Sequence, residues 1–104
     1  MAVTLTDDTN FSELLKGNEK VVVKYYADWC GSCRLFAPKY KRISNEDRFN
    51  AITFLDINAE HNPEARKLGN VNNLPTFAIF KNGELVESVC TSKEEALLEL
   101  IEKL

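Results

Sequence analysis

Residues 21–33 read VVVKYYADWCGSC and decide the fold, because a predicted buried strand runs directly into two closely spaced cysteines. The first six residues are β-branched or aromatic except for Lys24, and such a nearly continuous run is typical of a strand buried on both faces. The apolar residues after the cysteines recur at helical spacing; they are Phe36, Tyr40 and Ile43. The stretch therefore predicts a strand, a turn that contains the cysteines, and a helix.

Cys30 and Cys33 are separated by Gly31 and Ser32 at this predicted helix start. A cysteine in the first turn of a helix lies among unpaired backbone N–H groups and near the positive end of the helix dipole, which favours its thiolate. One turn of helix brings a second cysteine within disulfide reach, so one thiol can attack a disulfide and the other can resolve the mixed disulfide. We assign attack to Cys30 and resolution to Cys33, because the N-terminal cysteine has more free N–H neighbours and better access.

The rest of the chain alternates between predicted strands and predicted helices. The further strands are an edge strand at residues 3–5, a buried parallel strand at 51–57, and a hairpin of residues 76–80 and 84–89. Three further helices are predicted. The first contains Phe11, Leu14 and Leu15 and closes at Gly17, the second runs from Asn62-Pro63 to Gly69-Asn70, and the third covers residues 92–104. This order implies a mixed sheet with helices on both faces.

Local signals predict where these helices begin and end. Asp7 or Asp8 is expected to cap the first helix, and the last helix has two candidate capping boxes, at residues 91–94 and 92–95. The helix after the cysteines is expected to run from about Cys33 toward residue 47. Pro38 lies inside it, removes one backbone hydrogen bond, and should kink it.

Length and topology predict the domain organisation and the position of the cysteines. The 104 residues are enough for one domain, residues 1–104, with no second domain needed. The right-handed crossover rule places the cysteine turn at the carboxyl end of the central strand, where open α/β sheets hold their sites.

Charge and hydropathy exclude several classes of function. The net charge is −3 and the basic residues form no long block, which argues against a nucleic-acid partner. No apolar run is long enough to span a bilayer, and residues 1–9 have neither the basic start nor the apolar core of a secretory signal. We therefore expect a cytoplasmic protein that does not associate with membranes.

The three cysteines do not form a structural disulfide framework. A closely spaced pair with Cys90 left over fits a reducing compartment. Cys90 is expected to be a buried or semi-buried small hydrophobic residue rather than a regulatory thiol. Zinc would need four ligands, and neither Cys90 nor His61, which we expect to be solvated, lies near the pair in sequence. We expect no metal and, because no dinucleotide fingerprint is present, no bound organic cofactor.

The stretch YADWCGSC, residues 26–33, resembles the active site of the thioredoxin family. Three later features match that family at the expected distances. The first is Pro38, which lies five residues after Cys33; the second is Leu74-Pro75-Thr76; the third is the sequence FKNG at residues 80–83. The resemblance covers nearly the whole chain. It implies a thioredoxin-like three-layer α/β/α sandwich, with a mixed central sheet and a C-terminal antiparallel hairpin.

The resemblance also implies a substrate-binding set of Trp29, Gly31, Ser32, Leu74 and Pro75. Trp29 is interpreted as a flat apolar wall for the substrate rather than core. Gly31 lets a peptide approach the sulfur, although a plain turn role is equally compatible. By the same resemblance, Pro75 is expected to be a cis-proline that faces the cysteines, rather than a proline that only ends a loop. Leu74 is expected to offer backbone hydrogen-bonding groups to an extended substrate. Asp28 is usually a surface cap and is kept as secondary.

Two departures from the family pattern change the neighbourhood of the cysteines. Ser32 stands where the family usually has proline, so an N–H is restored and φ is loosened. This should shift the reduction potential in a direction that the sequence leaves open. The link at residues 89–92 lacks the glycine that the family has after its last strand, which leaves the far wall of the substrate groove undefined.

Lys24 is the third departure, because thioredoxins typically have a buried aspartate at this position that exchanges protons with the second cysteine. A lysine on an interior strand needs a counter-charge, and Asp56 on the neighbouring predicted strand is the candidate. Our hypothesis is a partly buried ion pair behind Cys33, with Asp56 or Lys24 relaying a proton through water. In the alternative, Lys24 extends to solvent and catalysis proceeds without a dedicated base.

Together these features predict a protein-disulfide reductase that works by dithiol–disulfide exchange. The resemblance implies a flavoprotein reductase of the thioredoxin reductase kind as electron donor, and we expect a monomer. Two alternatives stay open: a disulfide oxidase or isomerase of the same fold, and a non-enzymatic binding module that only docks partners.

Overall fold

Strands and helices alternate along residues 3–104, the part of the chain that the computed structural model describes. The strands are β1 Val3–Leu5, β2 Lys20–Tyr26, β3 Thr53–Asn58, β4 Thr76–Lys81 and β5 Glu84–Cys90. The helices are α1 Phe11–Gly17, α2 Gly31–Ser44, α3 Pro63–Leu68 and α4 Glu94–Ile101, with a 3₁₀ turn at Asp47–Phe49. The predicted element order is confirmed.

The strands form one mixed sheet in the order β1-β3-β2-β4-β5. β2 lies at its centre, parallel to β3 and antiparallel to β4, and β1 is a parallel edge strand next to β3. β4 and β5 form the predicted antiparallel hairpin, whose turn has φ of 53° at Asn82 and 85° at Gly83. These left-handed values explain the Asn-Gly pair. The central position of β2 puts its carboxyl end, and the turn after it, at the middle of one sheet edge.

Alternate residues of the strands face opposite sides of the sheet, and each side has its own core. The core under α1 and α3 contains Phe11, Leu15, Val21, Val23, Tyr25, Leu55, Ile57, Ala65, Ala78 and Phe80. The core under α2 and α4 contains Val22, Phe36, Tyr40, Ile43, Phe54, Phe77, Ile79, Leu97, Leu100 and Ile101. We call these the α1/α3 face and the α2/α4 face. The prediction that β2 is buried on both faces is confirmed.

The predicted cap of the first helix is wrong. Asn10 precedes α1, and no side chain caps that helix. The carboxylate of Asp8 instead accepts hydrogen bonds from the backbone N–H groups of Glu64 and Ala65, at 3.1 and 2.9 Å, in the first turn of α3. Asp8 therefore stabilises a helix start more than fifty residues further along the chain, because the fold brings the loop after β1 against that helix.

Two further boundary predictions are wrong. α2 ends at Ser44 rather than near Asp47, which belongs to the separate 3₁₀ turn. α4 begins at Glu94, after Lys93, and no side chain completes either predicted capping box. The Thr91 hydroxyl instead accepts the N–H of Lys93 at 3.1 Å, a local turn that places the start of the helix. Both corrections lie at helix ends, where competing local hydrogen bonds decide the boundary.

Candidate active site

Cys30 and Cys33 are joined by a disulfide at the start of α2, with their Cα atoms 5.2 Å apart. Cys30 is the N-cap residue, and its Sγ accepts a hydrogen bond from the backbone N–H of Cys33 at 3.2 Å. The expectation that the pair straddles a helix start at the carboxyl end of the central strand is confirmed. A sulfur in this position receives an otherwise unpaired donor of the first helical turn.

Both sulfurs are nearly covered in the disulfide form. Cys30 is 4% exposed and Cys33 is 2% exposed, so the expected difference in access is small. They form a small cluster with Ala27, against which Tyr26 and Leu74 pack. Gly31 and Ser32 are exposed between them, and the Ser32 Oγ lies 3.6 Å from the Sγ of Cys30. The Gly31-Ser32 dipeptide is therefore the exposed part of the turn between the two cysteines.

The cis-proline implied by the family resemblance is present, since the Leu74–Pro75 peptide bond is cis. Leu74 packs beside the two cysteines, so this loop borders the same site. The carbonyl of Pro75 accepts the N–H of Thr91 at 3.1 Å, which ties the end of β5 to the loop. The link after β5, although it lacks a glycine, is therefore held next to the cis-proline.

Trp29 is exposed rather than buried in the core, with 62% of its surface accessible. Its indole N–H donates to a carboxylate oxygen of Glu60 at 2.5 Å, which holds the ring beside the cysteines. Sequence reasoning missed Glu60. The available signal was its position just after the parallel strand β3, whose carboxyl end lies at the same sheet edge as that of β2.

Lys24 and Asp56 are paired directly across β2 and β3 on the α2/α4 face. Their Nζ and Oδ1 atoms lie 3.5 Å apart, and the Lys24 side chain is only 4% exposed while that of Asp56 is 25% exposed. The Lys24 ammonium also lies over the rings of Tyr26 and Tyr40, 5.7 and 5.3 Å from the centroids. The predicted ion pair is confirmed, and the alternative in which Lys24 extends to solvent is wrong.

A cleft of about 410 Å³ connects this ion pair with the second cysteine. Its lining residues are Lys24, Tyr26, Ala27, Asp28, Cys33, Arg34, Ala37 and Asp56. The Oδ1 of Asp56 is buried, and within residues 3–104 no group donates a hydrogen bond to it, since the 3.5 Å contact with Lys24 is an ion pair. Burial raises the pKa of Asp56 above its ordinary value, while the Lys24 ammonium acts in the opposite direction. The cleft is wide enough for water between Asp56 and Cys33.

Cys90 is exposed, so the expectation of a buried or semi-buried residue is wrong. It pairs with Thr76 at the outer edge of the hairpin, where β5 has no further strand to cover it.

His61 is exposed, as expected. In the described part of the chain, no three His, Cys, Asp or Glu side chains are grouped to hold a metal ion. Within residues 3–104, no helix is long and apolar enough to cross a membrane.

Comparison with known proteins identifies the family. The family model of thioredoxin matches residues 2–103. The chain belongs to the thioredoxin family. It is 31% identical over 103 residues to thioredoxin 1 of Plasmodium falciparum, with 99% of this chain and 97% of that protein covered. It is 38% identical over 102 residues to chloroplastic thioredoxin F2 of Arabidopsis thaliana, of which it spans 55%.

Solved structures agree with this assignment. A thioredoxin f2, solved in complex with ferredoxin:thioredoxin reductase, superimposes with a TM-score of 0.88 at 32% identity, covering 98% of this chain and 94% of that one. The predicted three-layer α/β/α thioredoxin fold is confirmed. Family membership together with the Cys30–Cys33 disulfide shows a dithiol–disulfide oxidoreductase of the protein-disulfide reductase type.

Proposed function

We propose that this thioredoxin reduces protein disulfides with Cys30 as nucleophile and Cys33 as resolving thiol. The Cys30 thiolate attacks one sulfur of the substrate disulfide, which forms a mixed disulfide and releases the first substrate thiolate. The Cys33 thiolate then attacks the Cys30 sulfur, which closes the Cys30–Cys33 disulfide and releases the second substrate thiolate. The substrate gains two electrons and the cysteine pair loses two.

The observation that carries this assignment is the placement of the Cys30 sulfur at the N-cap of α2. The backbone N–H of Cys33 donates to it at 3.2 Å, so a negative charge on this sulfur has a donor in place. Cys33 lies one turn inside the helix, its sulfur accepts no corresponding hydrogen bond from the described residues, and it lines the cleft that contains Lys24 and Asp56. The two sulfurs are therefore suited to different steps.

We propose that the substrate binds as an extended segment across Trp29, the Gly31-Ser32 dipeptide and the Leu74-Pro75 loop. The exposed indole offers an apolar surface, and Gly31 has no side chain to block an approach to the sulfur. The Leu74 backbone offers hydrogen-bonding groups to an extended peptide. The Trp29–Glu60 hydrogen bond holds one side of this surface and the Thr91–Pro75 hydrogen bond holds the other.

We further propose that Asp56 accepts the Cys33 proton through water in the cleft. An ammonium has no lone pair to accept a proton, and Lys24 lies in surroundings that suit a cation: a carboxylate and two aromatic faces. Asp56 has an oxygen without a donor, on the same cleft as Cys33. Lys24 is then a positioning residue that keeps the carboxylate ionised. The charged and titratable groups around Asp56 are Lys24, Tyr26, Asp28, Arg34, Tyr40 and Lys41.

The pH dependence of disulfide reduction by Asp56→Asn and Lys24→Ala tests this relay. Without Asp56, resolution should slow by about 10²-fold near neutral pH, the lower end of what a positioned general base contributes, and the limb of the profile that reports the carboxylate should disappear. Asp28→Asn is the matched control, because Asp28 lines the same cleft but is exposed and unpaired with Lys24. Unchanged profiles in Asp56→Asn and Lys24→Ala would eliminate the relay.

Insulin reduction followed by turbidity tests the main proposal. Cys30→Ser should abolish the activity, while Cys33→Ser should accumulate a mixed disulfide between Cys30 and the substrate. Cys90→Ser is the control and should retain full activity, since Cys90 lies outside the exchange. A non-enzymatic binding module would not reduce insulin in its parent form, so Cys30→Ser would then cause no loss of activity. The oxidase or isomerase alternative requires a Cys30/Cys33 potential well above that of the cytosolic glutathione pool, which glutathione redox buffers measure.

We propose a reductase as electron donor, in keeping with the reductase complex of the related thioredoxin f2. A flavoprotein of the thioredoxin reductase kind is our choice, and comparing insulin turnover with a flavoprotein and with a ferredoxin-dependent reductase tests it.

We also propose that the chain acts as a single-domain monomer in the cytoplasm. Sedimentation of the purified chain and fractionation of its source cells measure these properties.

A further inference from the structure

We propose that the Asn73 side chain covers the backbone N–H of Leu74 in the free protein, so that a substrate segment must displace it before binding beside the cysteines. Asn73 is then a specificity-determining residue, because it disfavours peptides that have no free backbone carbonyl to offer. This deepens the proposed function and rests on it, since it concerns the Leu74-Pro75 loop of the proposed substrate-binding surface.

Within residues 3–104, the backbone N–H of Leu74 donates to a single group, the side-chain amide oxygen of Asn73. The distance from the Leu74 nitrogen to the Asn73 Oδ1 is 2.9 Å. The sheet does not use this N–H, because β4 begins two residues later, at Thr76. The donor that an extended substrate would use is therefore already occupied in the free protein.

The backbone of this loop is held in place, whereas the covering side chain is free to rotate. Thr76 is buried, and its hydroxyl donates to the Asn73 carbonyl at 2.6 Å. The Pro75 carbonyl accepts the N–H of Thr91 at 3.1 Å. Asn73 itself is exposed, and in the described part of the chain its amide makes no second hydrogen bond. Rotation of one amide therefore uncovers the Leu74 N–H without moving the loop that packs beside the cysteines.

The amide competes only with substrates that need this N–H. A peptide carbonyl that accepts the Leu74 N–H must break its bond to Asn73, so one hydrogen bond is exchanged for another. An intramolecular hydrogen bond contributes a small net free energy, which a bound peptide can outweigh. A small disulfide without a peptide backbone does not use the N–H and has nothing to displace. The Asn73 amide should therefore slow the reduction of peptide disulfides and leave small disulfides unaffected.

A purely structural role for Asn73 predicts the opposite sign. If the amide only held the loop in shape, its removal would loosen the loop and slow the reduction of peptides. If the amide covers the donor that peptides need, its removal should speed their reduction. The direction of the change therefore separates the two roles.

Asn73→Ala tests the inference in single turnovers of the reduced protein. One substrate is a short extended peptide with an intermolecular disulfide, and the other is hydroxyethyl disulfide, which has no peptide backbone. Asn73→Ala should raise the second-order rate constant for the peptide about 2- to 5-fold, the lower part of the range for one net hydrogen bond. The rate constant for hydroxyethyl disulfide should stay unchanged. Asn72→Ala is the matched control, because Asn72 is an equally exposed neighbour that accepts nothing from Leu74.

Asn73→Asp keeps an oxygen at the same position and should reduce the peptide no faster than the parent protein does. Asn72→Asp controls for the added charge. Equal peptide rates in Asn73→Ala and the parent would overturn the inference, and so would a slower Asn73→Ala or an Asn73→Asp as fast as Asn73→Ala.

Two further variants separate this inference from the proposed function. Trp29→Ala should slow the peptide alone, because the indole belongs to the proposed substrate-binding surface. A slowed Trp29→Ala beside an unchanged Asn73→Ala would overturn the inference and leave the proposed function standing. Failure of the proposed function looks different, since Cys30→Ser would then still reduce both substrates.

Discussion

The two faces of the sheet carry different chemistry at neighbouring positions of the same strands. On the α1/α3 face, β2 and β3 end with Tyr25 and Ile57, both fully buried. On the α2/α4 face, the residues one step earlier are Lys24 and Asp56. A one-residue step along each strand thus separates an apolar core from an ion pair, because successive side chains point to opposite sides.

The difference lies in how each face satisfies its polar groups. The Tyr25 hydroxyl donates to the carbonyl of Ala65 in α3 at 2.8 Å, and burial raises the pKa of Tyr25 well above its ordinary value. That polar group is fully satisfied and structural. Asp56 keeps an oxygen without a donor from the described residues, beside a cleft that reaches Cys33. This oxygen without a donor, on the cleft that Cys33 also lines, is the basis of our proposal that Asp56 accepts a proton, whereas the Tyr25 hydroxyl has a partner in the core.

Lys24→Met should produce the largest loss of stability of the changes that test this comparison. Removing one partner of a buried ion pair costs about 3–5 kcal/mol, and the partial exposure of Asp56 reduces the expected loss at neutral pH to about 2–3 kcal/mol. Burial already raises the pKa of Asp56 in the folded protein, and loss of the ammonium raises it further. The loss of stability in Lys24→Met should therefore shrink as the pH falls through the pKa of Asp56 in the folded variant. It should vanish below the ordinary pKa of aspartate, where Asp56 is protonated in both the folded and the unfolded protein.

Urea denaturation at neutral and acidic pH measures this effect. Lys24→Met combined with Asp56→Leu is the control, because an apolar pair removes the unpaired charge and should restore stability together with a flat pH dependence. An equal loss at every pH would contradict an ionised Asp56 facing Lys24.

Gly69→Ala should destabilise the α1/α3 face by about 2 kcal/mol through overpacking. A Cβ at this position would lie 2.6 Å from the Tyr25 hydroxyl oxygen and 2.7 Å from two carbons of its ring. That ring is fully buried and cannot move aside. Thermal unfolding measures the loss, and insulin reduction below the melting temperature should stay unchanged. Gly17→Ala is the matched control for Gly69→Ala, since a Cβ at Gly17 would meet nothing within 4 Å. A similar loss of stability in Gly17→Ala would refute the steric explanation.

Removing one tyrosine hydroxyl from each face gives the smallest effect and the closest comparison. Tyr25→Phe removes the hydrogen bond to Ala65, and Tyr40→Phe removes the hydroxyl that lies 2.8 and 3.1 Å from the carbonyls of Leu55 and Val22. Each variant should lose about 1 kcal/mol in urea denaturation, the usual net contribution of one hydrogen bond. Only Tyr40→Phe should change the pH profile of activity, because Tyr40 packs against Lys24. A changed profile in Tyr25→Phe would mean that the two faces are not separate.

Local sequence patterns predicted most of the architecture. The apolar run in β2, the helical spacing of α2 and the Asn82-Gly83 turn each depend on residues a few positions apart, so they could be recognised without the fold. The Lys24–Asp56 pair was predictable because a charge on an interior strand needs a partner on a neighbouring one. The cap of α1 and the capping boxes of α4 were wrong because a short polar side chain has several possible backbone donors, and only the folded chain selects one.

By itself, the sequence determined the strand–helix order, the cysteine pair at a helix start, and the presence of an opposite charge beside Lys24. The tertiary structure alone decided that Asp8 caps α3, that Glu60 holds Trp29, that Cys90 is exposed, and that a cleft joins Asp56 to Cys33. The physical reason is the range of the interactions. Periodicity and turn chemistry act between near neighbours in the chain, whereas capping across elements, exposure and clefts depend on which distant backbone groups the packed sheet and helices bring together.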